Sequence, residues 1–257
     1  CKNFDQDIGG WDVGKVISMN QMFNRCKNFN QDISGWNVGK VIDINFIFYN
    51  CRKFNQNIGN WNVENVKCMK SMFYGCSNFD QDISNWDVSN VTNMNYMFYE
   101  CFNFDQDISD WDVSNVYNMG YMFYKCNKFN QDIGKWNVSN VNDMEHMFYE
   151  CYKFNQDIGN WDMTNATNIN SMLSSCENFN HDISLWDINN VREMKNTFLG
   201  TKIFNQDISQ YDIDYIEKMK YRFSKFNIAN YFNICDLTKV KFSDYVGIKL
   251  GKFMIFV

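Results

Sequence analysis

A 25-residue unit repeats nine times from Cys1 to Lys225 without an insertion or a deletion. Cysteine opens the first eight units, and the eleventh residue of the same eight units is tryptophan. A fixed short period is typical of a solenoid, because one unit alone cannot bury its apolar face whereas stacked neighbours can. Each residue therefore has a position, from 1 to 25, in one coil of the predicted solenoid.

Two periodicities follow one another in a representative unit, residues 76–100. Trp86 and Val88 alternate with polar residues, which predicts a short strand buried on one face. From Met94 to Cys101, apolar residues recur at the spacing i, i+3, i+4 and i+7, which predicts a short helix. The predicted fold class is an α/β repeat: a solenoid of nine coils, each with a short parallel strand and a short helix. Paired strands would space all coils by about 4.8 Å.

The array occupies residues 1–225, and the period is lost from residue 226. Terminal repeats are atypical because they close the core, so residues 226–257 are predicted to form a degenerate C-terminal cap. A truncated or frame-shifted gene end is the alternative. Because the chain starts in phase at Cys1, we expect a fragment of a longer array that lacks its N-terminal cap.

Charge and chemistry exclude several classes of function. The net charge of -6 comes from scattered residues. Such a surface does not favour nucleic acid, whose phosphates require a basic stripe. No apolar run approaches the roughly 20 residues of a transmembrane helix. His146 and His181 lie at unrelated positions without a partnered nucleophile, so we predict a protein that is not an enzyme and uses no cofactor.

Aspartate occupies position 7 of every unit except the third, which carries Asn57. A row of like charges requires compensation. One hypothesis is a row of calcium sites, since calcium prefers oxygen ligands. The other is an Asx ladder, in which each side chain accepts a backbone N–H and holds a turn. The Asn57 exception and the lack of a glycine-rich calcium motif favour the ladder. No metal is therefore predicted, and the weaker calcium alternative concerns Asp82, Asp107, Asp132 and Asp157.

Two further columns have a structural and a functional interpretation. Cysteines at position 1 are predicted to be buried thiols, because free cysteine is among the most buried residue types. Pairwise disulfides along the column are the alternative. Tyrosines recur at position 24, and a half-buried packing row is the default interpretation. A ridge that contacts sugar or protein is the alternative. The tyrosines concerned are Tyr74, Tyr99, Tyr124 and Tyr149.

Variation between units gives the site prediction. Positions that stay constant serve the core, whereas positions that vary are free for recognition. Positions 10 and 17 vary, and position 10, together with positions 12 and 14, is predicted to lie on the exposed side of the strand, on a concave binding face. The candidate binding residues are Asn60, Asn62, Asn85, Asp87, Asp110, Asp112, Lys135, Asn137, Asn160 and Asp162.

The segment Phe79-Asp-Gln-Asp-Ile-Ser-Asn-Trp-Asp-Val-Ser-Asn-Val-Thr-Asn-Met94, followed by Met97-Phe98-Tyr99, resembles a known repeat. It is similar to the 25-residue repeat of mycoplasma-type surface lipoproteins, a domain of unknown function grouped with BspA-like leucine-rich-repeat surface proteins. The resemblance covers residues 1–225. It implies a leucine-rich-repeat-like solenoid at the cell surface or outside the cell, with an adhesion or recognition role toward a protein or glycan. The alternative is an intracellular protein–protein interaction scaffold of a protist or large virus.

Overall fold

A computed structural model describes residues 1–206, which comprise coils 1 to 8 and the start of coil 9. Each coil stacks on the next through a parallel β-bridge at position 18, from Ser18–Asp43 to Asn168–Glu193. The described residues form the repeat solenoid that the sequence predicts. The predicted cap at 226–257 lies outside them. No helix within residues 1–206 is long and apolar enough to cross a membrane.

The core consists of columns of equivalent apolar side chains, one from each coil. In coil 4, Phe79, Ile83 and Met94 are fully buried and Trp86 is 3% exposed. Rings of successive coils stack almost parallel, as in the pair Phe54–Phe79 with an interplanar angle of 7°. Burial of a large apolar side chain contributes about 1.5–3 kcal/mol, so each column stabilises the array only when its neighbours are stacked.

The predicted short helix is wrong for the described coils. Residues 95–100 form consecutive turns, and residues 1–206 contain no α-helix. The amide of Met97 donates to the carbonyl oxygen of Met94 at 3.1 Å, one residue less than a helical hydrogen bond spans. Tyr96 and Glu100 have φ angles of 59° and 55°, in the left-handed region, which interrupts any helix.

Alternate amides of the turn segment donate hydrogen bonds to the next coil. The amides of Met94, Tyr96, Phe98 and Glu100 donate to carbonyl oxygens of coil 5 at 2.8 to 3.0 Å. These bonds offset the cost of the left-handed residues, which is about 1–3 kcal/mol each. The spacing i, i+3, i+4 and i+7 fits these turns because they also bring the same apolar residues to the core.

The predicted strand is wrong as well, although its burial pattern is confirmed. Trp86 and Val88 are buried and Asp87 between them is exposed. No hydrogen bond of the described residues joins the backbone of this segment to the backbone of a neighbouring coil. Hydrogen bonds from side chains take the place of the backbone hydrogen bonds of a β-ladder. Trp86 Nε1 donates to the carbonyl oxygen of Ile58 at 3.1 Å, and Asn90 Nδ2 donates to that of Glu64 at 2.9 Å.

The distance between equivalent rings of successive coils differs from one position of the coil to another. Equivalent ring centroids are 6.4 Å apart for Trp86–Trp111 at position 11, and 6.1 Å apart for Phe79–Phe104 at position 4. They are only 4.2 Å apart for Tyr74–Tyr99 at position 24. We call the backbone-paired segment, positions 17 to 25, the inner side of the coil and the tryptophan segment the outer side.

Candidate functional site

The outer surface, defined by positions 10 and 12 of coils 3 to 7, contains all the predicted binding residues. All ten are exposed: Asn60, Asn62, Asn85, Asp87, Asp110, Asp112, Lys135, Asn137, Asn160 and Asp162. The predicted strand beneath them is absent, these positions flank the tryptophan column, and their location on a concave face stays a prediction. The structure brings them together as two parallel files, and their role in binding stays a prediction.

The two files differ in what their side chains do. At position 12, Asp87 Oδ1 accepts from the hydroxyl and amide of Ser89 at 2.6 and 3.0 Å. These bonds hold the pKa of Asp87 below its usual value, so the carboxylate stays charged. At position 10, the side chains of Asn85, Asp110 and Lys135 make no hydrogen bond or ion pair within the described part of the chain. A change of residue at position 10 therefore removes no side-chain hydrogen bond or ion pair of the coil.

The aspartates of position 7 hold turns. Asp82 Oδ1 and Asp107 Oδ1 each accept a hydrogen bond from the serine amide two residues later at 2.9 Å. Asp132 Oδ1 and Asp157 Oδ1 accept in the same way from the amides of Gly134 and Gly159 at 3.0 Å. This confirms the Asx ladder. Hydrogen bonds from Ser84 lower the pKa of Asp82. Within residues 1–206, no three His, Cys, Asp or Glu side chains are grouped as a metal site.

A column of polar side chains at position 6 links successive coils through hydrogen bonds. The sequence analysis did not identify it. Gln56 Nε2 donates to the carbonyl oxygen of Asn30 at 2.8 Å, and Gln131 repeats the bond to Asp105. In coil 8 the residue is His181, whose Nε2 lies 3.0 Å from the carbonyl oxygen of Asn155. The sequence did contain a signal for this column, because the same uncharged polar residue, glutamine, recurs at position 6 from unit to unit. His181 therefore replaces a structural glutamine.

The inner surface, defined by positions 21 and 24 of coils 3 to 6, carries two aromatic columns. Tyr74, Tyr99, Tyr124 and Tyr149 form the column predicted from the sequence. Position 21 adds a second column that the sequence analysis missed, in which Tyr96, Tyr121 and His146 stack at 4.6 and 4.7 Å. All these rings are partly buried. Since rings cover one another's faces, their edges form the accessible surface, which does not favour sugar stacking.

Carboxylates lie close to this aromatic surface. Burial raises the pKa of Tyr96, and the charges of Glu145 and Asp143 raise it further. Burial also raises the pKa of Tyr121, followed by the charges of Glu145 and Tyr96, a side-chain hydrogen bond with Glu145 and the charge of Asp143. His146 Nδ1 lies 3.5 Å from Glu145 Oε1 without forming a hydrogen bond. Burial lowers the pKa of His146, and Glu145 partly opposes that shift. The inner surface of these coils is therefore aromatic and acidic.

The cysteines of position 1 are free thiols in the described coils. From Cys26 to Cys176 they are buried, whereas Cys1 is exposed and Cys68, at position 18, is partly exposed. Cys76 Sγ donates to the carbonyl oxygen of Phe48 at 3.0 Å, and Cys101 repeats this bond to Phe73. Burial raises the pKa of both thiols well above the usual value. The prediction of buried thiols is confirmed, and these thiols are poor nucleophiles.

Comparison with known proteins identifies a family. The family model described as "Mycoplasma protein of unknown function, DUF285" matches residues 1–83, 69–180 and 132–238. The chain matches no curated protein. Among solved structures it is similar to a leucine-rich repeat protein from Bacteroides ovatus. The two are 12% identical, the match covers 77% of this chain and 85% of that one, and the TM-score is 0.20. A TM-score of 0.20 is too low to indicate a shared fold.

Proposed function

The chain belongs to this mycoplasma family of unknown function, and from that premise we propose that it is a non-enzymatic recognition module that binds a protein partner through its outer surface. The resemblance to surface repeat proteins supports a location at the cell surface, with adhesion as the role. The observation that supports the proposal is that structural residues and variable exposed residues occupy different positions of the coil. Constant residues build and stitch the coils, whereas position 10 is exposed and free of structural bonds.

Position 10 supports recognition because its residues differ in charge and size while the backbone beneath them repeats. Asn85, Asp110, Lys135 and Leu185 are presented in one file, and Leu185 is 72% exposed. The position 12 carboxylates of Asp112 and Asp162 lie beside them and are fixed by turns. Rigid presentation lowers the entropy lost on binding, which favours specific association with a protein surface.

Photo-crosslinking in the producing cells tests this proposal. A benzoylphenylalanine is introduced at Asn85 or at Asp110, and a control carries it at Asn142, which is exposed at position 17. We expect one shared protein adduct from the two outer positions, absent from the control. With the crosslinker at Asn85, that adduct disappears in Asp110→Lys, a substitution that position 10 tolerates because Lys135 occupies it in coil 6.

Two outcomes contradict the proposal. One is the absence of a discrete adduct from both outer positions. The other is an adduct that Asn142 gives equally or that Asp110→Lys retains. Protease treatment of intact cells tests the location separately: the proposed surface exposure requires loss of the protein while a cytosolic marker stays intact.

A further inference from the structure

Charges of opposite sign lie on two neighbouring strips that follow the array. Of the sixteen lysines and arginines in residues 1–206, seven lie at positions 2 and 3, which carry a single acid, Glu177. In the same residues, positions 5 to 9 carry ten aspartates and no lysine or arginine. The basic strip consists of Lys2, Lys27, Arg52, Lys53, Lys128, Lys153 and Lys202. The acidic strip consists of Asp5, Asp7, Asp32, Asp80, Asp82, Asp105, Asp107, Asp132, Asp157 and Asp182.

The chain itself does not neutralise these strips. The side chains of Lys128 and Lys153 are exposed and form no hydrogen bond or ion pair within residues 1–206. Asp132 and Asp157 use Oδ1 to hold their turns, and neither has an ion pair in that part of the chain. Among the cations of the basic strip in the described coils, only Lys202 has an ion pair, with Glu177 at 2.7 Å. The charges of both strips are therefore available to a partner.

Both strips advance along the array by one common step. The phenylalanine rings of position 4, which lies between the strips in each coil, are 6.0 to 6.2 Å apart in successive coils from Phe54 to Phe154. A partner matches a file of charges over its whole length only when its own charges advance by the same step. A second copy of this chain has that step in its coils, and it carries the complementary strip.

The side-by-side arrangement of the strips determines the direction of such a partner. When two copies face each other in parallel, related by a two-fold axis along the array, the basic strip of each copy lies on the acidic strip of the other. Antiparallel copies would instead place like charges opposite one another, which is unfavourable. A two-fold axis also gives a closed assembly, the commonest kind among soluble oligomers.

We infer that a second copy of this chain docks in parallel on the two strips, each coil against its equivalent, and forms a two-fold dimer. Lys128 pairs with Asp132 of the partner subunit, and Lys153 pairs with Asp157 of the partner subunit. The contact uses positions 2 to 7 and leaves the outer surface at positions 10 and 12 free. The dimer is therefore independent of the proposed function.

Exposed aromatic rings add apolar area to this contact. Phe102 and Tyr152 lie at position 2 within the file of the basic strip and are 38% and 37% exposed. A single exposed ion pair contributes at most about 1 kcal/mol, so one pair alone would not hold two copies together. A row of pairs, combined with burial of these rings, gives the contact both its register and its stability.

Sedimentation velocity of the full chain, over a range of concentrations, measures the dimer. We expect its Kd to rise at least about tenfold between about 0.05 and about 0.5 M NaCl, because salt screens the paired charges. The basic-strip variant Lys128→Glu/Lys153→Glu and the acidic-strip variant Asp132→Lys/Asp157→Lys must each weaken the dimer at least about tenfold, since each opposes like charges. An equimolar mixture of the two variants must restore it, because each reversed strip then meets a strip of opposite sign.

Two controls accompany these variants. Lys67→Glu/Lys70→Glu changes the net charge as the basic-strip variant does, but at positions 17 and 20, and should change the Kd less than about twofold. The acidic-strip variant loses two turn hydrogen bonds, so circular dichroism must show that it folds. If it does not fold, Asp132→Asn/Asp157→Asn replaces it, since Asn57 occupies position 7 in coil 3. Its mixture with the basic-strip variant must then associate more tightly than either variant alone.

Carbodiimide coupling reads the register without any variant, because it joins an amine to a carboxylate in contact with it. In a mixture of isotope-labelled and unlabelled chains, we expect mixed-isotope peptides that join Lys128 to Asp132 and Lys153 to Asp157. Links between distant coils would contradict the parallel register. A chain that stays monomeric, an equal loss in the Lys67→Glu/Lys70→Glu control, or a variant mixture that stays dissociated overturns the inference. Binding of polyphosphate to the basic strip of a monomeric chain would overturn it as well, and would assign that strip to a polyanion.

Discussion

Trp86 Nε1 donates a hydrogen bond to the carbonyl oxygen of Ile58 in the preceding coil at 3.1 Å. The same bond recurs from Trp36–Ile8 to Trp186–Ile158. It closes the outer side of the coil, where the backbones of successive coils do not pair. The tryptophan column is thus both a packing column and a row of hydrogen bonds, which explains why tyrosine or phenylalanine does not replace it in the described coils.

Trp86→Phe tests this double role. The substitution leaves the buried carbonyl oxygen of Ile58 without its donor, so we expect a loss of about 2 kcal/mol in the free energy of unfolding. Urea denaturation followed by circular dichroism measures it. Trp11→Phe is the control, since Trp11 is 54% exposed, and should cost less than about 0.5 kcal/mol. Equal losses in the two variants would contradict a stabilising role of the hydrogen bond.

Acid should weaken the turns of position 7. Amide hydrogen bonds from position 9 lower the pKa of Asp32, Asp82 and Asp107 below the ordinary value of 3.8. A lowered carboxyl pKa stabilises the folded state above the ordinary value, and this stabilisation is lost as the pH falls through the folded-state pKa. We expect unfolding temperature to drop below about pH 4. The triple variant with asparagine at these three positions must drop less, and an unchanged acid profile contradicts the assignment.

His146 should add a separate pH dependence. Its pKa is lowered by burial from the ordinary 6.5, so the unfolded chain takes up the proton first and stability is lost as the pH falls below that value. His146→Tyr, which copies Tyr121 of the same column, should reduce the difference in unfolding temperature between about pH 7.5 and about pH 5.5. His181→Gln is the control, because glutamine restores the usual residue of position 6. If both variants retain the wild-type difference, His146 is not its source.

Thiol reactivity should follow burial. Alkylation of the native protein with iodoacetamide, mapped by mass spectrometry, is expected to modify Cys1 and Cys68 but not Cys76 or Cys101. The buried thiols are protonated and donate hydrogen bonds to carbonyl oxygens, so they react only after unfolding. Denaturation in urea before alkylation is the positive control. Rapid modification of Cys101 in the folded protein, or its recovery as a disulfide with Cys76, would contradict the described core.

Much of the core could be predicted from the repeat. Ile83, Trp86 and Val88 are buried as their spacing indicates, because burial depends on which side chains point inward. The backbone could not be predicted in the same way. The run from Met94 to Cys101 fits a helix and also fits successive turns with left-handed residues. The choice between them depends on hydrogen bonds to residues about 25 positions away, which a local pattern does not reveal.

The candidate site, too, could be predicted only in part from the sequence. Exposure of Asp87 and Asp110 followed from variation and polarity, but the absence of a strand beneath them did not. That absence depends on how stacked coils bond to one another, which a local pattern does not reveal. The second aromatic column was missed because position 21 alternates between tyrosine, histidine and small residues such as Ser71.

Amide hydrogen exchange of the full chain, followed residue by residue by NMR, tests the central claim most directly. The claim is that the described coils pair through the backbone at positions 17 to 25 but not in the tryptophan segment, and that they contain no helix. The account predicts slow exchange for the amides of Tyr96, Phe98 and Glu100, and fast exchange for those of Asn85 and Asp87. Protection of Asp87 as in a strand, or helical carbon shifts continuous from Met94 to Cys101, would contradict it.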